Sequence, residues 1–457
     1  MTGYLLGIDN GSQSTKVGVF DDRGRLHAWG RKALRPNDTP RPGVVEHPDD
    51  DLWDSIGAAT REALAGFAGD PAEIEAVGLC TIRFCRAMLR ADGTLAAPVL
   101  SWMDERLSRP YEHTDPRVRY VTTSSGYLTA RLTGRFRDTA ANYQGNWPID
   151  TGRWCWAPGQ EEIPARMLFE LALPGAVLGT VTAEAAAHTG LRAGTPVVAT
   201  ANDKAVEALG CGLRGADAVL LSLGTYIAAM TTGTRDIRDA DGFWTNFAAV
   251  PHEYLYESHG IRRGMWTVSW LRDLLGIGEE RLNAGAAEVP PGSDGLMTVL
   301  DWLAPAEQPY RRGAFLGFDG RQGPFHLYRS VLEGIALTMR GNIEAMATGL
   351  GAGFSRLLVS GGGADSAMLT GILADVFGKP VVRQDTASAA GLGAAMCAGV
   401  GIGTFADFTE AQRAMAAPRK EVTPDPGRHE FYRRQYEVYR EITAHTDPVF
   451  RRCVALG

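Results

Sequence analysis

The chain has 457 residues, 45% of them hydrophobic and 22% charged, the balance of a soluble globular protein too long for one ordinary core. A net charge of −7 with no Lys/Arg block argues against nucleic acid as the main partner. No apolar run reaches the roughly 18 uncharged residues that a membrane span requires.

The opening segment carries Asp9, Gln13 and Lys16, so it does not read as a signal peptide. The six cysteines follow neither zinc nor CxxC spacing, and a reduced, cytoplasmic setting is expected. The first predicted element is a hairpin, with "YLLGID" and "KVGVFD" as strands around the turn "NGSQST". After "DRG" comes "RLHAWGRKA", and then a helix start in "PGVVEHPDDDLWDSIGAATREALAGF". Asp49 to Asp51 supply a cap and first-turn negative charge, and Leu52, Trp53, Ile56, Ala59 and Leu64 follow at helical spacing. "IEAVGLC" is a short buried strand, and "PVLSWMDERL" a second one ending in polar residues. "SSGYLTARLTGRF" is a helix closed by Gly134.

"TPVVATAND" then reads as a strand entering a polar loop, and "KAVEALGCG" as a short helix. A changeover to a second unit falls between about residues 195 and 215, which divides the chain into domains 1–212 and 213–457. "AVLLSLGTYIAAMTTG" repeats the outline of the first hairpin. In "LYRSVLEGIALTMRGNIEAM", Leu332, Ile335, Ala336, Met339, Ile343 and Met346 form one helical stripe. "RLLVSGGGADSAMLTGILADVFG" is strand, glycine loop and helix, and "SAAGLGAAMCAGVGIG" is a small-residue helix suited to close packing. A polar helix pattern runs from Arg428 to Arg452. Strands alternating with helices in both halves predict an α/β protein with two sheet-centred domains.

"GIDNGSQST", "SLGTY" and "SGGGADS" each place glycine and hydroxyl residues after an apolar strand. Backbone N–H groups in such turns can approach a phosphate closely. None fits a P-loop or a Rossmann fingerprint. Taken singly each is also compatible with a tight turn that holds no ligand, but three spread over both halves favour a nucleotide. Asp9 and Asp203 each end a strongly apolar strand, where a capping or turn role is the alternative. As a pair facing one cleft they fit phosphoryl transfer: one organises Mg²⁺ on the phosphates, the other accepts a proton from the attacking hydroxyl.

At these residues the sequence resembles the FGGY carbohydrate kinases, of the xylulokinase and glycerol kinase type. "GIDNGSQSTK", "PGVVEHPDDDLW", "SWMDER", "VVATANDKAVEALGCG", "SLGTY", "RGAFLGF…YRSVLEGIALTMRGN" and "SGGGADSAMLTGILADVFGKPV" follow in the family's order. The resemblance implies two actin/hexokinase-like (ribonuclease H-like) domains with an interdomain cleft that binds a sugar and ATP. It carries Asp203 over as the catalytic general base and Asp9 as the residue holding Mg²⁺. Gly11, Ser12, Gln13, Ser14, Thr15 and Lys16 fall in the first phosphate hairpin, and Gly224 and Thr225 in the second. Gly361, Gly362, Gly363, Ala364 and Ser366 would face the α-phosphate and adenosine.

Substrate choice is expected on strand ends of the first domain. In "VGLCTIRFCRAMLRADG", Arg83 matches the glycerol kinase branch and Phe84 neither branch. Arg83 reads either as a substrate-binding fork or as a structural Arg paired to a neighbour such as Asp104. Phe84 is core or an apolar platform for a sugar, and Arg86 is read as a solvent-facing strand residue. Trp102, Asp104 and Arg106 are the better substrate-binding candidates, and Tyr143, Trp147 and Trp266 looser ones that also suit the core. Two departures from the family stand at Ser388, a frequent Glu, and at the altered segment Ala306-Glu307-Gln308-Pro309.

The expected activity is ATP-dependent phosphorylation of a ketose such as a pentulose, or of a polyol. A catalytically silent sugar sensor on the same fold is the alternative, though Asp9, Asp203 and Thr225 are all in place. An actin- or Hsp70-like ATPase with a protein partner is disfavoured by "SWMDER". A second copy of the chain is a further candidate partner, since dimers are common in the family.

Overall fold

A computed structural model describes residues 3–159, 163–384, 388–416 and 420–456. The outer limits of the two expected domains, residues 1 and 457, lie outside the described residues.

The first sheet is built from β1 (Tyr4–Asn10), β2 (Ser14–Phe20), β3 (Leu26–Ala33), β4 (Ile74–Thr81), β5 (Val177–Thr180) and β6 (Pro196–Asn202). Their order is β5-β6-β4-β1-β2-β3, with β4 parallel to both β1 and β6 and the hairpins β1–β2–β3 antiparallel. β1, β4 and β6 are nearly continuous apolar runs because both faces are covered. Helix α1 (Asp51–Ala65) lies on one face, burying Leu52, Trp53 and Ile56 against Leu6, Ile8 and Val17.

The second sheet has seven strands. In chain order they are β7 (Ala218–Leu223), β8 (Ile227–Gly233), β9 (Phe243–Phe247), β10 (Tyr254–Ser258), β11 (Arg356–Ser360), β12 (Val381–Arg383) and β13 (Lys420–Val422). Here β7 and β8 form the antiparallel hairpin and β7 runs parallel to β11, which repeats the arrangement of the first sheet. The two hairpins therefore occupy equivalent places in two sheets.

The other face of the first sheet is covered by α2 (Asp203–Gly210) and by a helix from the far end of the chain, Ala389–Gly401. That small-residue helix crosses α2 with bare backbone at the contact. A Cβ on Gly393 would stand 2.0 Å from the carbonyl O of Val206, and one on Gly78 of β4 would stand 2.0 Å from that of Ala394. One continuous core then runs through both sheets, from Leu5 and Ala76 through Leu209 and Leu392 to Leu220 and Val359.

Two expected elements differ. "PVLSWMDERL" forms no strand: Leu100 bridges Arg86, and the chain then turns into a short 3-10 helix at Glu105–Ser108, started by the Asp104 side chain. The tail is two helices, Pro426–Tyr439 and Ile442–Val454. No helix among the described residues is long and apolar enough to cross a membrane.

Candidate active site

Parallel pairing gathers the chemistry. Asn10 lies opposite Thr81, and Thr81 opposite Asn202, so Asp9, Ile82–Phe84 and Asp203 emerge together at the carboxyl ends of β1, β4 and β6. Open parallel sheets bind ligands at this edge. In the second sheet Ser222 lies opposite Ser360, which sets loop 224–226 beside loop 361–366. Gly361 has φ +79°, and a side chain there would meet the Leu223 carbonyl at 2.8 Å, so the two loops touch through backbone.

Asp203 opens helix α2 next to Asn202, whose side chain caps the helix by accepting from the Ala205 N–H at 3.1 Å. The Asp203 carboxylate is partly exposed and, among the described residues, accepts a hydrogen bond from the Lys204 N–H at 2.9 Å. Burial raises its pKa above the ordinary carboxylate value; Arg83 and Lys204 oppose the rise, and Asp9 and Glu207 add to it. Asp9 is 6% exposed, with Lys16 Nζ 3.3 Å from Oδ2 and the Ser388 hydroxyl donating to the same oxygen at 3.4 Å. Ser388 also caps the helix Ala389–Gly401 by accepting from the Gly391 N–H at 2.9 Å.

The first hairpin turn divides by side-chain direction. Gly11 is the corner, closed by its N–H donating to the Ser14 carbonyl, and Ser12 and Gln13 are exposed at the tip. Thr15 points into the protein, where its hydroxyl accepts from Asn10 Nδ2 at 2.7 Å and pairs with Ser55 at 2.6 Å. In the second hairpin Thr225 is exposed, and the carbonyls of Gly224 and Thr225 accept from the N–H groups of Met265 and Gly264. Gly362 is exposed while Gly363 and Ala364 are buried. Ser366 caps the helix Ala367–Phe377, its hydroxyl accepting from the Leu369 N–H at 3.2 Å.

A network that sequence reasoning missed joins the two sheets beneath these loops. Lys204 Nζ donates to Glu207 Oε2 at 2.9 Å and to the Ser222 hydroxyl at 2.7 Å. Glu207 Oε1 accepts from Ser222 at 2.8 Å and from Ser360 at 2.6 Å. Its only local signal was the Lys/Glu spacing on one helical turn.

Arg83 has its anion, and the anion is Glu257 on β10, not Asp104. The fork is bidentate, Nη1 to Oε2 at 2.8 Å and Nη2 to Oε1 at 2.9 Å, with the Glu257 side chain fully buried. Trp244 of β9 covers the guanidinium at 4.6 Å from the ring centroid, and Phe84 lies 5.3 Å away on the same group. Phe84 holds this place with φ +66°, a left-handed conformation that a bulky residue adopts only when its surroundings enforce it.

Trp102 is 49% exposed at the rim. Asp104 is 3% exposed and its four acceptor positions are filled: Oδ1 takes the Arg106 N–H and Nε, Oδ2 takes the Val45 N–H and Arg106 Nη2. Arg106 reaches on to Glu46 at 2.7 Å, so this pair braces loop 43–46 under Trp102. Tyr143 is fully buried and Trp147 half-buried beside it, with ring centroids 4.9 Å apart; Trp266 stacks towards Trp270 of its own helix, Gly264–Leu275. Arg86 corrects the expectation of a solvent-facing residue: it is 5% exposed. β4 ends at Thr81, so the in–out alternation of a strand no longer governs residue 86.

A divalent cation fits this edge in one way. Among the described residues no three His, Cys, Asp or Glu side chains are grouped to hold a metal ion. Asp9 offers a single carboxylate at a glycine turn, which suits Mg²⁺, an ion bound through one or two carboxylates plus phosphate oxygens and water.

Models of the FGGY family of carbohydrate kinases match residues 4–116 with the N-terminal domain and residues 219–402 with the C-terminal domain. The chain is 44% identical to the uncharacterized sugar kinase YgcE of Escherichia coli (strain K12), covering 98% of this chain and 95% of that protein. It is 26% identical to the autoinducer-2 kinase of Klebsiella pneumoniae over 96% of this chain and 94% of that one. Among solved structures, the xylulose kinase of Rhodospirillum rubrum superposes with TM-score 0.85 at 25% identity, covering 98% of this chain and all of that one. The glycerol kinase of Plasmodium falciparum superposes with TM-score 0.80 at 15% identity over 97% and 98% of the two chains, a likeness of fold.

Proposed function

The chain belongs to the FGGY family of carbohydrate kinases, and on that premise we propose that it moves the γ-phosphoryl group of ATP to a hydroxyl of a small open-chain sugar, a ketose or polyol skeleton, with Asp203 as general base. The observation that carries the reading is the meeting of Asp203, Asp9 and the glycine turns at the carboxyl ends of neighbouring parallel strands.

In this mechanism the substrate hydroxyl donates to the free oxygen of the Asp203 carboxylate. As its oxygen attacks the γ-phosphorus, the proton passes to Asp203 and the bond to the β–γ bridging oxygen of ATP breaks, leaving ADP. The transition state is loose, so positioning and charge neutralisation matter more than covalent help. Backbone N–H groups of residues 11–13, 224–225 and 361–364 would cradle the phosphates. Lys16, 3.3 Å from Asp9 Oδ2, would offer a cation to the same oxygens. Asp9 would hold Mg²⁺, whose contribution is to neutralise charge on the phosphates. Closure over the site excludes water, which otherwise competes as acceptor.

The raised pKa of Asp203 suits a base, since it binds the proton more strongly than an ordinary carboxylate. Activity then falls as pH drops through that pKa, where the base becomes protonated. General-base help is worth roughly 10²–10⁴ in rate. Sugar-dependent ADP release across pentuloses, hexuloses, tetritols, pentitols and aldonates identifies the substrate. With it, Asp203→Ala is expected to lower kcat at least ~100-fold without changing Tm by more than a few degrees. A folded Asp203→Ala protein that turns over at near wild-type rate removes Asp203 from this role.

A further inference from the structure

Arg83 and Arg86 stand three residues apart: the fork of Arg83 is filled by Glu257, and that of Arg86 meets no partner among the described residues. Arg86 is 5% exposed, makes no side-chain hydrogen bond or ion pair among the described residues, and its Nε is sealed from solvent without a partner. The rings of Tyr111 and Trp147 lie 5.9 and 5.8 Å from its Cζ, which softens the burial of a cation but supplies no acceptor in the guanidinium plane. The facing titratable groups are Asp104, already saturated by Arg106 and Val45, and the Tyr111 phenol. A buried guanidinium without an anion is unfavourable, so structures keep one where a partner arrives.

The neighbouring loop repeats the pattern. Asn142 is 4% exposed and neither its Oδ1 nor its Nδ2 has a partner among the described residues; Gln144 Oε1 is likewise buried without one, while its Nε2 donates to the Ala141 carbonyl at 3.1 Å. The loop begins beside β6, which leads to Asp203: the Thr139 hydroxyl donates to the Thr200 carbonyl at 2.5 Å, on the strand that ends at Asn202. It then passes Phe84, since a Cβ on Gly145 would lie 4.0 Å from Phe84 Cε1, and reaches Arg86 through Trp147. Donors and acceptors without partners among the described residues thus run from the strand that carries the base towards the Arg86 guanidinium.

We propose that Arg86, Asn142 and Gln144 form a subsite for the carboxylate end of an open-chain polyhydroxy acid, the amides pairing with its hydroxyls and Arg86 with its carboxylate. This rests on the reading of the Asp203 cleft as the sugar site and narrows the substrate from any ketose or polyol to an aldonate-like acid. A planar carboxylate matches the fork geometry of arginine. A terminal phosphate, with nearly two charges, would have one guanidinium and no lysine to meet it.

The test is calorimetric titration of the full chain, without ATP, with four- to seven-carbon aldonates, the alditols of matching length and terminal sugar phosphates. The wild type is expected to bind one aldonate at least ~10-fold more tightly than its alditol. Arg86→Gln should erase that preference by weakening the aldonate alone, with unchanged alditol affinity showing that the cleft is intact. Arg86→Lys, which keeps the charge and loses the fork, should fall between. Equal wild-type affinity for acid and alditol, tighter binding of the phosphates, no aldonate binding at millimolar concentration, or an Arg86→Gln protein that keeps its preference each overturns the assignment. Because binding is read without turnover, a protein that binds aldonates through Arg86 but releases no ADP would sink the kinase reading and leave the subsite standing.

Discussion

His47 lies at 1% exposure beside the Cys85 thiol, and its Nδ1 has no partner among the described residues. Burial holds its pKa down at about 4, from an ordinary 6.5. Between those two values the unfolded chain binds a proton that the folded chain refuses, so stability falls as pH drops from 6.5 to 4, by up to ~3 kcal/mol. Asp138 acts in the opposite sense. Burial among Ser125, Thr123 and Thr139 raises its pKa from 3.8 to about 6, so the folded chain binds the extra proton and gains stability as pH falls through that window. His47→Gln removes the first contribution and keeps the second. Its Tm is therefore expected to fall less than the wild-type Tm between pH 6.5 and 4.5. Parallel curves would show that His47 carries no such linkage. At this scale the position of Asp9 and Asp203 at strand ends was legible, because each closes an apolar run. The partner of Arg83 was not, because Glu257 is 174 residues away in the chain.

Helices and strands were legible where a long apolar run met a glycine. Examples are β1 into Gly11, β7 into Gly224, and the helix of residues 124–133 ended by Gly134 at φ +66°. "PVLSWMDERL" misled because its apolar start pairs with Arg86 for only one residue before Asp104 nucleates a turn. The small-residue helix was read as suited to close packing, but only the fold shows what it packs on: α2 and the floor of the first sheet. Backbone meets backbone there, so a single added methyl has nowhere to go. Gly393→Ala is expected to lower the free energy of unfolding by ~1–3 kcal/mol, the usual penalty for overpacking, measured by urea titration. An unchanged midpoint would mean that the crossing yields without strain.

The Arg83–Glu257 pair ties a strand end of the first sheet to the second, under the Phe84 and Trp244 rings. Removing one member of such a pair leaves the other charged and buried, at a cost of ~3–5 kcal/mol, whereas removing both costs less. Arg83→Met and Glu257→Gln are each expected to lower stability more than half as much as that range implies, and the double variant less than their sum. Strict additivity in the cycle would show that the two do not couple. The two-sheet plan was legible from the alternation of strands and helices. That the chain returns to its first sheet before adding the last strand of the second was not, because no local pattern records which sheet a helix will cover. Residues 389–401 complete the layer over strands that end at Asn202. On the ribosome, at ~5–20 residues per second, the first sheet therefore waits about 10–40 s for its cover. Through that interval Leu5, Ala76 and Val198 lack part of their lining, and the nascent chain is a client for any chaperone that binds apolar surface.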